Sequence, residues 1–224
     1  MRNRNLWTIA CGLLIVTLSG CAAKSVQRDF TFKDDQSNEG LVFFSVSHDL
    51  AGGRGAKAIF YLDGGVTSGT GSMVFSLREA FPGIAAGSEF EDSYGQLVAL
   101  ALPVGKHQID GWQITNGTGG RIYPREKPAP LEFHVQAGQA KYLGNLHANL
   151  QTGRNLFGVT IVGNGYPEVR DRRDRDVEIF EARYPQFKRK VVIEPCALGP
   201  WIGKSGTRTQ VDIPPPVRPL PVGK

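Results

Sequence analysis

Apolar and polar residues alternate along this chain in short runs separated by turn-forming residues. Residues 41–47, Leu-Val-Phe-Phe-Ser-Val-Ser, are β-branched and aromatic and are bounded by polar positions. Residues 58–62 form a second such run, closed by Asp63-Gly64-Gly65, a tight-turn signal. Further strands are expected at 72–77, 96–102, 108–114, 141–150 and 156–162, the last ended by Gly163-Asn164-Gly165. Leu131-Glu132-Phe133-His134-Val135 alternates with period two, which places one face on a core. Residues 78–95, broken by Pro82-Gly83 and Gly87-Ser88, read as a loop or insertion. Short strands at regular spacing predict a mainly β fold, a sandwich or small barrel. The connections are mostly too short for helical crossovers, so the pairing should be largely antiparallel.

One helix interrupts this pattern. Over residues 168–184, Val177, Phe180 and Tyr184 fall on one stripe, and Pro185 stops the helix. Asp171 can pair with Arg175, and Arg172 with Asp176, at about 0.2–0.5 kcal/mol each, so packing of the stripe must supply most of the stability. The charge run at 170–176 reads as the solvated face, because its acids nearly balance its arginines; a phosphate- or lipid-binding patch is the rival reading. Beyond Val191-Val192-Ile193 the chain becomes irregular. Pro214, Pro215, Pro216, Pro219 and Pro221 predict an extended tail that builds no core.

The N-terminus carries Arg2 and Arg4 ahead of an apolar run at 6–18. That run is too short to span a bilayer, which takes about 20 residues. It fits a signal-peptide core. It ends in Leu18-Ser19-Gly20-Cys21, which resembles the bacterial lipobox. The resemblance implies a diacylglycerol thioether on Cys21, cleavage before it and acylation of the new amino terminus. Two or more acyl chains hold a protein firmly to a membrane. Ala22 and Ala23 follow, without aspartate, which by resemblance to enterobacterial sorting points to the outer membrane. The expected organisation is a signal peptide at 1–20, a flexible tether at 21–39 and a β domain at 40–165. A helix and closing segment at 166–203 and a Pro-rich tail at 204–224 follow.

Composition adds little chemistry. The formal charge of +5 falls to +3 once Arg2 and Arg4 are removed, and no basic cluster interleaves with aromatics, so nucleic acid is not an expected partner. With Cys11 in the signal and Cys21 lipidated, Cys196 has no intramolecular partner and is expected to be buried. His48, His107, His134 and His147 show no metal-ligand spacing, although His134 and His147 on neighbouring strands could meet. The stretch 52–57 lacks the Gly-Lys-Ser/Thr ending of a phosphate loop. Asn116-Gly117-Thr118 matches a glycosylation sequon but reads as a turn. No cofactor is expected.

A family resemblance rests on two stretches: Leu100-Ala101-Leu102-Pro103-Val104-Gly105-Lys106-His107, and the later run from Leu131 to Gly144 with its Ala-Gly-X turn and Tyr142-Leu143-Gly144. These resemble uncharacterised proteobacterial envelope lipoproteins with a small immunoglobulin-like or transthyretin-like β-sandwich. The resemblance covers roughly residues 40–165 and implies an antiparallel sandwich with no known activity.

The leading expectation is a non-enzymatic, lipid-anchored binding or scaffold module of the bacterial envelope. It would present loops or a sheet edge to an envelope protein or peptidoglycan. One rival is an enzyme acting on cell-wall glycan or peptide, with Glu89, Glu91 and Asp92 in the 78–95 loop. Another is a carbohydrate-binding module using Trp112, Tyr123 or Trp201.

Overall fold

The first strand, Glu39–His48, is buried without interruption from Gly40 onward, because both faces of its sheet are covered. The structure is a computed structural model that describes residues 25–32, 38–64, 71–77, 79–81, 84–85, 87–115, 120–154, 158 and 160–211. The expected signal peptide, Cys21, the sequon turn at 116–118 and the prolines from Pro214 onward lie outside the described residues.

In chain order the strands are β1 (Glu39–His48), β2 (Lys57–Leu62), β3 (Ser72–Phe75), β4 (Glu79–Phe81), β5 (Ile84–Ala85), β6 (Tyr94–Pro103) and β7 (Gly105–Thr115). They continue with β8 (Gly120–Pro124), β9 (Leu131–Val135), β10 (Ala140–Arg154), β11 (Thr160–Arg170), β12 (Val191–Ile193), β13 (Gly199–Pro200) and β14 (Thr207–Val211). Helix α1 (Arg173–Arg183) leads into a 3-10 turn at Pro185–Lys190. The first sheet runs β13-β11-β10-β1-β6, with β12 beside β10. The second runs β14-β8-β7-β2-β3, with β9 beside β7. Strands β4 and β5 pair only with each other. The fold is therefore mainly β and rich in antiparallel pairs, and it is not a closed barrel. Two pairings are parallel, β1 with β10 and β10 with β12.

Alternation explains how β1 serves two cores. Val42, Phe44 and Val46 join Phe60, Leu62, Trp112 and Ile114 of the second sheet in a shared core. Leu41 and Phe43 point the other way, into a cluster with Phe180, Tyr184 and Phe187. The Phe43 and Phe180 rings stack 3.9 Å apart at 14°. The stripe expected on the helix is thus the face that seals the first sheet, with Val177 at its margin.

Two sequence expectations are corrected here. The helix does not begin at Glu168. Residues 168–170 continue β11, where Glu168 pairs with His147 and Arg170 with Asn145, and α1 starts at Arg173. Nor does Gly163-Asn164-Gly165 end a strand, for β11 runs straight through it. A Cβ on Gly165 would lie 2.7 Å from the Asn149 carbonyl oxygen and 3.0 Å from Ile114 Cδ1. Close approach of the neighbouring strand and the facing sheet requires glycine there, not a turn.

The boundary expected at 165 falls inside β11, and β12, β13 and β14 all join the two sheets. Within the stretch expected to be a tether, residues 25–32 are docked. Val26, Phe30 and Phe32 pack on the helix-side cluster. The Tyr184 hydroxyl donates to the Val26 carbonyl at 2.8 Å, and Gln186 Nε2 donates to the carbonyls of Arg28 and Phe30 at 2.9 Å each.

The same segment helps to close an edge. On β6, the outward groups of Gly95 meet Ser88 Oγ and the Glu89 amide, and the Leu97 amide donates to Glu89 Oε2. The Leu97 carbonyl accepts from Arg183, while Ala99 bonds to Ser25 Oγ and the Val26 amide. From Gly95 to Ala99 the edge is therefore occupied and closed to strand addition.

Candidate functional site

A buried polar network lies where α1 meets the first sheet, and a glycine bulge builds it. Between Phe43–Tyr142 and Ser45–Asn145 the register slips by one residue, and Gly144 takes φ +108. Without the slip, side chains beyond it would change face. With it, Tyr142, Asn145 and His147 all look toward the helix alongside Ser45 and Ser47. The Tyr142 hydroxyl donates to Asp176 Oδ2 at 2.9 Å, and the Ser45 hydroxyl donates to the same oxygen at 2.5 Å. Arg175 Nε donates to Asp176 Oδ1 at 3.0 Å, and its guanidinium stacks 3.7 Å above the Phe90 ring. Asn145 Nδ2 donates to Ser45 Oγ and Ser47 Oγ at 2.8 and 2.9 Å. Burial pushes the Asp176 carboxyl above the usual range, against the opposing pull of Ser45, Arg175 and Tyr142. Burial, and then Asp176, raise the Tyr142 hydroxyl.

This overturns one reading of the charge run. Asp176 is 0% exposed and sits at the centre of the network, not on a solvated face. The expected i,i+4 pairs are also replaced. Arg173 pairs with Asp171, while Arg172 and Arg175 both reach Asp92 across the interface. Nothing in the local spacing of the run distinguished Asp176 from its neighbours; the signal lay in Ser45 and Ser47 interrupting the apolar strand that it faces.

The network contains a Ser-His-Asp chain that is not a nucleophile. Ser47 Oγ lies 2.8 Å from His147 Nδ1, and His147 Nε2 lies 2.9 Å from Asp49 Oδ1. The Asp49 carboxylate can only accept, so Nε2 carries the proton and Nδ1 accepts from Ser47. Ser47 is 0% exposed, leaving no path for a carbonyl to its oxygen. Burial, and then Arg170, lower His147 to about 4, so it is a weak base. Asp49 Oδ2 accepts from the Leu150 amide at 2.8 Å, which ties the end of β1 to β10. The chain is a structural strap.

The remaining candidates disperse. His134 is exposed on β9 of the second sheet, whereas His147 is buried in the first, so the two do not meet. His48 is buried and bonded to Ser76 Oγ and the Gly53 carbonyl; His107 bonds to Asp63 and the Pro103 carbonyl. Among the described residues no cluster of three or more His, Cys, Asp or Glu could hold a metal ion. Glu89 pairs with Arg183 and Asp92 with Arg172 and Arg175, so these two carboxylates join elements together, while Glu91 is exposed. The 52–57 stretch turns into β2 and opens no helix. Cys196 is buried, and burial pushes its thiol up to about 11.

Of the three aromatics considered for sugar stacking, Trp112 and Trp201 belong to the shared core, 2% and 7% exposed. Tyr123 does reach a surface feature: a groove of about 450 Å³ on the second sheet, lined by Tyr61, Met73, Asp110, Gly111, Tyr123 and Lys127 among others. A β-bulge shapes it. Leu62 pairs with Ile109 and Tyr61 with Gly111, which leaves Asp110 as the extra residue. Asp110 is 5% exposed and accepts from Lys127 Nζ at 3.0 Å. The Tyr61 ring covers Gly111, where a Cβ would lie 3.1 Å from its Cδ2, and its hydroxyl donates to Gln113 at 3.2 Å. Trp112 completes the floor, and its buried Nε1 has no hydrogen-bond partner among the described residues. The groove thus offers two tyrosines, apolar walls and a buried carboxylate paired with an exposed lysine. Sequence reasoning missed Tyr61, Asp110 and Lys127, because only the bulge and the pairing of β2 with β7 bring them together.

Among the described residues no helix is long and apolar enough to cross a membrane. No family model matches the chain, and no curated protein does. Among solved structures, a leucine-rich repeat protein from Bacteroides thetaiotaomicron is similar over 59% of this chain and 19% of its own, at 14% identity and a TM-score of 0.28. At that score the likeness carries no argument, and the chain spans about a fifth of that protein.

Proposed function

We propose that this chain is a lipid-anchored lipoprotein of the bacterial envelope, held at the outer membrane through Cys21. Its immunoglobulin-like sandwich is a non-enzymatic binding module, and its ligand is cell-wall glycan seated in the Tyr61–Tyr123 groove. The groove carries the reading. A sugar ring has an apolar face that packs on tyrosine and a rim of hydroxyls that Asp110 and Lys127 can bind. The lipobox-like Leu18-Ser19-Gly20-Cys21 supports the anchor. A protein partner added at a sheet edge is the weaker reading, because the β6 edge is occupied by Ser25, Val26, Ser88, Glu89 and Arg183.

Co-sedimentation of the purified lipoprotein with detergent-washed peptidoglycan sacculi tests the binding half. Saturable retention that soluble wall fragments displace is the expected result, and full recovery in the supernatant rules glycan out. Intact mass of the native protein tests the anchor, which requires the mass of an acylated Cys21.

A further inference from the structure

The segment that follows the expected lipid site is short and tied down. Only Ala22, Ala23 and Lys24 separate Cys21 from Ser25, and Ser25 Oγ already accepts from the Ala99 amide at the β6 edge. At about 3.3–3.6 Å per residue, four steps reach at most roughly 14 Å. A domain docked that close to its lipid cannot tumble freely, and one surface must lie against the headgroups.

The surface beside this exit is basic. Val26 is held by Tyr184, and Arg28 and Phe30 by Gln186, so residues 26–30 run along the turn at Pro185–Lys190. Lys190 Nζ lies 5.7 Å from the Phe32 ring centre. Arg28, Lys188, Arg189 and Lys190 are all exposed. Among the described residues, the carboxylates beside them are Asp29 and Glu181, and Glu181 pairs with Lys188 at 3.1 Å. Four cations against two acids leave the collar positive, and Lys24 in the linker adds to it.

We infer that this collar docks on the phosphates of anionic phospholipid headgroups in the anchoring bilayer, so that the helix side of the domain faces the membrane and the groove of the second sheet faces away. The inference rests on lipidation of Cys21 and deepens it from an attachment to an orientation. The distance favours it, because a linker of at most roughly 14 Å lets the collar settle within a Debye length of the surface, about 8 Å at physiological salt, where such attraction persists. Each cation near an anionic surface biases the docked state roughly fivefold.

The test uses the full lipidated protein with a fluorophore on Gln27→Cys beside the collar or on Glu126→Cys at the far side. Cys196 is buried with a raised thiol pKa and should stay unlabelled. The protein is reconstituted into vesicles of phosphatidylcholine alone, or of equimolar phosphatidylcholine and phosphatidylglycerol, each carrying a headgroup quencher. The expected result is stronger quenching at Gln27 in the anionic vesicles, unchanged quenching at Glu126, and loss of the difference in K188Q/R189Q/K190Q. Equal quenching of Gln27 in both vesicles, or a difference that survives the triple substitution, overturns the inference. Intact mass separates the two readings. Acylated protein with charge-independent quenching sinks the orientation and leaves the anchor standing, whereas an unmodified Cys21 removes both.

Discussion

The Ser45 hydroxyl donates to the Asp176 carboxylate at 2.5 Å across 131 residues of sequence. This bond joins the first strand to the helix at its polar end, as the Phe43–Phe180 stack does at its apolar end. Asp176→Ala would strand the Ser45 and Tyr142 hydroxyls and the Arg175 guanidinium in a buried site. The expected cost is about 3 kcal/mol, read as a lower urea midpoint at unchanged slope. Asp176→Asn keeps an acceptor and should cost less than half as much. Equal stability of the alanine variant and the parent would remove the network from the account.

Stability should fall on mild acidification. His147 titrates at about 4 in the fold against 6.5 unfolded. Between those values the unfolded chain binds the proton and the folded chain does not, so lowering the pH favours unfolding. The full difference is about 3 kcal/mol, present above pH 6.5 and lost by pH 4. His48 is also lowered by burial and acts in the same direction. Asp176, raised by burial, acts in the opposite one, gaining as the pH falls. Urea melts of His147→Asn against the parent from pH 7 to pH 4 isolate the histidine, and the variant should show the flatter profile.

Gly144→Ala should destabilise by about 1–3 kcal/mol. The backbone there has φ +108, and the added Cβ would meet Val169 Cγ1 at 3.0 Å. Thermal unfolding checks it. A neutral outcome would mean that the bulge is not what sets the faces of Tyr142 and Asn145.

Glu89 protects the β6 edge through its backbone amide and its carboxylate together. Glu89→Ala leaves the Leu97 amide open, and Arg183 loses its carboxylate partner. Concentration-dependent association, followed by light scattering, is the expected outcome. A variant that stays monomeric at every concentration would show that the other caps suffice.

The strands were legible where burial leaves a periodic trace. The run at 41–47 and the alternation at Leu131–Val135 both became strands, because a two-sided core and a one-sided core write different patterns. The helix stripe of Phe180 and Tyr184 was legible for the same reason. The start of that helix was not, because Glu168-Val169-Arg170 satisfies a strand or a helix equally and only pairing with β10 decides. Asp176 and the Tyr61–Asp110–Lys127 grouping were hidden because their meaning depends on partners far away in sequence.

Calorimetric titration of the purified protein with soluble peptidoglycan fragments, run in parallel on the parent and on Tyr61→Ala and Lys127→Ala, bears most directly on the groove. The account predicts saturable binding by the parent and at least about tenfold weaker binding by each variant, the equivalent of 1.4 kcal/mol, at a temperature where circular dichroism shows all three folded. Absence of heat from the parent, or variants that bind as tightly as it does, would contradict the assignment of glycan to this surface.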